Sequence, residues 1–142
     1  PDETAAILKD GWLYTGDVAV MDEQGYFKIV DRKKDLVLVS GFNVYPNEIE
    51  DALAKMDAIL EAAVVGVPDA KSGEAVRAYV VKNPDFAGPL SKDDVLAHCR
   101  TLLTDYKIPK SIVFRDELPK SPVGKILRKD LKAEVKAEFQ NK

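Results

Sequence analysis

Two apolar runs of strand length, ILEAAVVGV at 59–67 and AVRAYVVK at 75–82, constrain this chain more than any other feature. Both are rich in β-branched residues, which lose side-chain freedom in a helix and pack well on a pleated surface. The loop PDAKSGE between them carries Pro68, Asp69 and Gly73, residues that punctuate a chain, so the two runs are expected to pair as strands.

The other segments fit around that pair. Residues 18–21 and 26–30 flank DEQG, where Gly25 can supply a positive φ, and the stretch predicts a β-hairpin. LVLVS at 36–40 is a further strand, ending at Gly41 in the loop SGFNVY. Pro46 then suits a first helical turn, Glu48 and Glu50 complement the positive helix start, and Ile49, Leu53 and Met56 share one face. Ser91 and Asp94 form a capping-box variant, with Leu90 and Val95 as a hydrophobic staple, opening a helix that carries Val95, Cys99, Leu102 and Leu103. Losing the Ser91 cap should cost about 1 kcal/mol. A short strand, IVFRD, precedes a last helix with Leu127, Leu131, Val135 and Phe139 spaced by four. Strands and helices mix without βαβ alternation. The expected class is α+β: a small mixed sheet of about three strands with flanking helices, preceded by the hairpin, its topology left open.

Composition excludes several functions. The chain has 142 residues, 46% hydrophobic and 32% charged, enough for one ordinary soluble domain. No apolar run approaches the roughly 18 residues that span a bilayer, and PDETAAILKD has neither flank nor core of a signal peptide, so a cytoplasmic protein is expected. One cysteine, Cys99, and one histidine, His98, exclude a disulfide framework and a zinc site of several Cys and His ligands. Adjacent on a helix, they diverge and cannot serve as nucleophile and base; both are read as structural. A net charge of −3 argues against a nucleic-acid binder, although DRKKD and GKILRKDLK are locally basic. The first methionine, Met21, falls inside a strand, so the natural polypeptide is expected to extend upstream of Pro1.

Three signals bear on chemistry. Lys125 follows Gly124 in a proline-studded loop, but Pro119 and Ile126 stand where a Walker loop needs Gly and Ser or Thr. Its ammonium is either a point charge for phosphate oxygens at a loop tip or a solvated surface group. Asp17, in YTGD, either accepts two ribose hydroxyls or terminates a turn. Arg32, Lys33 and Lys34, flanked by Asp31 and Asp35, are a solvated connector or a hinge between strands.

Taken in order, GWLYTGD, DRKKDLVLVSGFNVYPNEIE and LPKSPVGKILRK resemble the carboxy-terminal portion of the adenylate-forming enzymes, the superfamily of acyl-CoA synthetases, luciferase and peptide-synthetase adenylation domains. The resemblance spans nearly the whole chain and is nearest to bacterial long-chain-fatty-acid:CoA ligases. It implies that residues 1–33 are a hairpin segment ending a large N-terminal adenylation domain and 34–142 a mobile lid. It also implies ribose binding by Asp17, nucleotide contact by Arg32, a hinge at Lys34, a coenzyme A tunnel loop at Ser40, Gly41 and Phe42, and adenylation catalysis by Lys125. ATP, Mg2+, coenzyme A and a fatty acid are the implied cofactors and substrates of the complete enzyme, with none expected on this portion, which should be inactive alone.

Two departures stand out. Leu38 occupies the place where some relatives carry a second-step lysine, and it reads as strand core. Val123 stands where small polar residues are frequent, which touches only a loop hydrogen bond. The implied partner is the chain's own N-terminal domain; without it the unpaired hairpin edges offer a docking place for a second copy, and the basic last helix is read as solvated packing, with peripheral contact at the inner face of the membrane as the alternative. The alternative is a freestanding nucleotide- or CoA-binding module without catalysis, and an upstream phosphate loop would discriminate the two.

Overall fold

A computed structural model describes residues 2–141, and the chain divides into two compact units, Pro1–Lys34 and Asp35–Lys142. The first unit holds a helix, α1 (Asp2–Ile7), and two antiparallel ribbons, β1 (Leu8–Lys9) with β2 (Trp12–Leu13) and β3 (Asp17–Met21) with β4 (Phe27–Arg32). The second ribbon is the expected hairpin. Asp22 closes its turn, its Oδ1 accepting from the Gln24 and Tyr26 amides, each at 2.9 Å. The helix and the first ribbon were not anticipated. Large apolar side chains of this unit, among them Trp12 and Phe27, each 74% exposed, stand in solvent.

The second unit is built on a five-stranded sheet ordered β6 (Phe42–Val44), β5 (Val37–Val39), β8 (Gly73–Lys82), β7 (Ile59–Asp69), with β9 (Ser111–Arg115) parallel to β8. The two apolar runs are β7 and β8, paired antiparallel from Ile59↔Lys82 to Asp69↔Gly73. Pro68 lies within β7, which is tolerable because β7 is an edge strand. The α+β class is as expected, but the sheet has five strands, not about three; one of them, the three-residue β6, lies in the segment read as the loop SGFNVY, where a two-residue turn folds it back on β5.

Both faces of this sheet are covered, which explains why β7 and β8 are apolar almost throughout. Val64, Val76, Ala78 and Val80 pack with Ile49 and Leu53 of α2 (Pro46–Leu53) and Val95 and Cys99 of α3 (Lys92–Leu102). Alternate residues, Ala63, Val65, Tyr79 and Val81, meet Leu131 and Val135 of α4 (Arg128–Gln140) on the other face. Burying each of these branched side chains contributes roughly 1.5–3 kcal/mol relative to exposure.

The anticipated caps form. Ser91 Oγ accepts from the Asp94 amide at 3.1 Å, and Asp94 Oδ2 accepts from the Ser91 amide at 2.8 Å. Pro46 opens α2. His98 Nε2 lies 2.8 Å from the Ala52 carbonyl oxygen, tying α3 to α2, and Cys99 is fully buried, so both are structural as read.

Leu38 corrects the sequence reading: it is 50% exposed rather than core. On β5 Val37 points into the α2–α3 layer, so Leu38 points to the other face, and α4 does not extend its cover as far as β5. Among the described residues no helix is long and apolar enough to cross a membrane.

Candidate functional site

The first unit brings Asp17 and Arg32 together. They are register partners at the open end of the β3–β4 ribbon, and Arg32 Nε lies 3.4 Å from Asp17 Oδ1. The Thr15 hydroxyl accepts from the Asp17 amide at 3.2 Å and the Gly16 carbonyl accepts from the Lys33 amide at 2.8 Å, so the TGD turn is tied to the strand that carries the arginine. A carboxylate only accepts hydrogen bonds and suits a vicinal diol; a guanidinium only donates and suits phosphate or hydroxyl oxygens. Thr15, Gly16, Arg32, Lys33 and Lys34 line an open groove of about 490 Å3 beside the pair. Lys34 is the last residue of this unit and lies in a 3-10 turn, Lys33–Asp35.

Ser40 and Gly41 form a two-residue turn between β5 and β6, closed by the Val39↔Phe42 pair. Both have positive φ, +51° and +84°, the combination that matches the twist of a tight hairpin. Glycine reaches this conformation freely; serine does so at a cost of roughly 1–2 kcal/mol. The turn is held from outside, since the Ser40 amide donates to the Ser72 carbonyl at 2.8 Å. Asp69 secures Ser72 in turn, its Oδ2 accepting from the Ser72 amide at 3.0 Å and hydroxyl at 2.7 Å. Lys110 binds the other oxygen, and these hydrogen bonds, Lys110 first and Ser72 next, hold the Asp69 carboxyl well below the usual carboxylate range. Phe42 stacks on Tyr106 with ring centroids 4.9 Å apart, leaving half of its surface exposed beside the turn.

Lys125 sits on the returning leg of a closed loop, just past its turn, and not on a mobile tail. Lys120 and Ile126 bridge across its neck, and the Leu127 amide donates to the Pro119 carbonyl at 2.8 Å. Higher up, the Ser121 amide donates to the Lys125 carbonyl at 2.8 Å, and the Lys125 amide donates to Ser121 Oγ at 3.2 Å. Gly124, at φ +81°, allows the reversal. The Lys125 side chain is exposed, and no ion pair to it forms among the described residues. Val123, 89% exposed, contributes nothing to these hydrogen bonds, which Ser121 and the backbone supply.

One cluster escaped sequence reasoning. Arg128, at the first position of α4, forks onto Glu50 of α2, with Nε 3.0 Å from Oε1 and Nη2 on Oε2, while Nη1 reaches Asp35 Oδ2 at 3.3 Å and Nη2 also meets Asn47. Lys132 Nζ donates to Asp35 Oδ1 at 2.8 Å, and Glu50 Oε1 also accepts from the Val64 amide at 2.9 Å. Burial disfavours the Asp35 charge, but Lys132 and Arg128 outweigh it and hold this carboxyl below its ordinary value. Glu50 therefore does not merely complement the start of its helix as expected; Glu48 instead pairs with Lys107 at 2.8 Å, which raises the lysine's pKa. Nothing local marks Glu50 or Asp35 as partners of an arginine so distant in sequence.

Residues 48–125 match the family described as AMP-binding enzyme C-terminal domain. A long-chain-fatty-acid–CoA ligase from Yersinia pestis is 60% identical over 134 residues, covering 94% of this chain and 23% of that protein. A 3-[(3aS,4S,7aS)-7a-methyl-1,5-dioxo-octahydro-1H-inden-4-yl]propanoyl:CoA ligase from Rhodococcus jostii is 48% identical over 137 residues, covering 96% of this chain and 26% of that protein. Among solved structures, ATP-bound MatB from Rhodopseudomonas palustris matches with a TM-score of 0.84 at 38% identity, over 94% of this chain and 26% of that one. The chain spans about a quarter of the length of the curated relatives it matches.

Proposed function

The chain belongs to the family of AMP-binding enzyme C-terminal domains, and on that premise we propose that it works as the C-terminal portion of a cytoplasmic, ATP-dependent long-chain-fatty-acid–CoA ligase. In the first half-reaction a carboxylate oxygen attacks the α-phosphorus of ATP and the bond to the bridging oxygen breaks, giving an acyl-adenylate and pyrophosphate. In the second, the thiol sulfur of coenzyme A attacks the acyl carbon, AMP leaves with the bonding pair, and the thiol proton is lost.

The observation that carries this reading is the closed loop that holds the Lys125 ammonium exposed, just past its turn, without an ion pair among the described residues. Two anions must meet in the first step, and a fixed positive charge between them offsets their repulsion and stabilises charge building on the transferring group. Asp17 and Arg32, beside the groove of the first unit, would take the ribose hydroxyls and a further oxygen of the nucleotide. Among the described residues no three or more His, Cys, Asp or Glu gather to hold a metal ion.

Lys34, where the first unit ends, is assigned as the hinge, and the Ser40–Gly41 turn with Phe42 as the wall of the coenzyme A tunnel used once the lid has turned. The exposed apolar side chains of the first unit are assigned to packing against the upstream portion of the enzyme; in the isolated chain they would draw two copies together. Long-chain preference follows the 60% identical relative and belongs to the upstream acyl pocket, since a 48% identical relative is named for a bicyclic acid.

Lys125→Ala in the complete ligase tests the reading. ATP–pyrophosphate exchange should fall by roughly a hundredfold or more, and unchanged exchange would overturn the assignment.

A further inference from the structure

We propose that Arg128 is a positioning residue for adenylation: clamped on Glu50, Asp35 and Asn47, it fixes one leg of the Lys125 loop to the residue that opens the second unit. The inference rests on the reading of Lys125 given above.

The loop stands on two legs. One ends at Lys120, whose ammonium is ion-paired with Glu61 of β7. The other runs from Lys125 through Ile126 and Leu127 into α4, and its first helical residue is Arg128. Two residues of chain, Ile126 and Leu127, both bonded across the neck, therefore separate the reactive lysine from Arg128. Any rotation of Arg128 would be transmitted to Lys125, because the closed neck leaves few free torsions between them.

The clamp is more than a generic support of the fold. Arg128 and Asp35 are only 17% and 11% exposed, and the guanidinium uses all three nitrogens. A planar fork meeting a carboxylate on two nitrogens fixes direction as well as distance, which a lysine ammonium cannot do. Asp35, which accepts from both Arg128 and Lys132, directly follows Lys34. The backbone that leaves the proposed hinge is thereby tied to the base of the helix that carries the catalytic loop. A turn of the lid about Lys34 then moves Lys125 as part of a rigid body instead of allowing the loop to lag.

The test uses the complete ligase with four proteins: wild type, Arg128→Lys, Lys125→Ala and the double variant. ATP–pyrophosphate exchange reads the first step, and CoA consumption from supplied acyl-adenylate reads the second. The expected result is a roughly tenfold lower exchange kcat for Arg128→Lys, with the KM for ATP within about twofold and the second step unaffected. In the Lys125→Ala background the same substitution should cost nothing further, since a residue that acts only through the lysine has no effect once the lysine is gone. Parallel loss of both steps, additive loss in the double variant, or unchanged exchange would overturn the proposal. If Lys125→Ala itself leaves exchange unchanged, the parent reading fails instead, so the two failures are distinguishable. Should Arg128→Lys not accumulate folded, Asp35→Asn, which keeps the side-chain shape, carries the same set of expectations.

Discussion

Arg128 Nη1 lies 3.3 Å from Asp35 Oδ2, joining residues 93 positions apart in the chain, and the same guanidinium forks onto Glu50, 78 positions away. This meeting closes the second unit, because it ties the segment before β5 and the helix on one face of the sheet to the first turn of the helix on the other. A partly buried ion pair of this kind is tolerable only while every member is satisfied.

Breaking it from the α2 side should therefore be costly. Glu50→Ala removes two acceptors of Arg128 and the acceptor of the Val64 amide, and is expected to lower the unfolding free energy by about 3 kcal/mol. Urea denaturation of the chain measures this directly. A loss below about 1 kcal/mol would mean that water already satisfies the cluster.

Asp35 gives that cluster a pH signature. Its folded-state pKa is lowered, burial notwithstanding, by Lys132 and Arg128, whereas in the unfolded chain it should titrate near 3.9. A depressed carboxyl stabilises the fold above the unfolded value and loses that contribution as pH falls through the folded one. Stability should hold from about pH 7 to pH 5 on this account and decline below about pH 4, with a shallower decline in Asp35→Asn. Parallel stability curves for the two proteins would remove Asp35 from the acid response.

The Ser40–Gly41 turn is expected to be strained by a side chain at its second position. Nothing lies within 4 Å of a Cβ added to Gly41, so the penalty comes from φ +84° alone. Gly41→Ala should cost about 1–2 kcal/mol, and in the complete ligase it should slow the CoA-dependent step more than pyrophosphate exchange. Full retention of thioester formation would separate this turn from the coenzyme A tunnel.

The hinge assignment predicts an unequal effect as well. Proline at position 34 locks φ near −65°, so Lys34→Pro should impair thioester formation more than adenylation. Equal loss of both half-reactions, or of neither, counts against a swivel at this residue.

Local signals were legible where neighbours in sequence are neighbours in space. The Ser91–Asp94 capping box, Pro46 at a helix start, the DEQG hairpin and the four-residue spacing from Leu127 to Phe139 each rest on residues only a few positions from the next. A signal of the same kind was available for the first ribbon: Asp10–Gly11, with φ of +52° and +81°, joins Leu8–Lys9 to Trp12–Leu13, and Asp-Gly is a strong hairpin dipeptide. It was missed because strands of two residues show no alternation to read. Lys125, Asp17 and Arg32 were legible as candidates through ordered motifs; the closed neck of the loop and the ion pair across the ribbon were not.

The sequence by itself determined the longer strands, the helix-start caps, the DEQG turn and the family resemblance, since all of these reside in residue types at short, fixed spacings. Tertiary structure alone decided that β9 lies parallel beside β8, that Leu38 faces out while Val37 faces in, and that Glu50, Asp35 and Lys132 converge with Arg128. The physical reason is that burial and charge pairing depend on which surfaces meet once the sheet is covered on both faces. A charged residue on a helix carries no mark of a partner that the chain delivers 78 residues later.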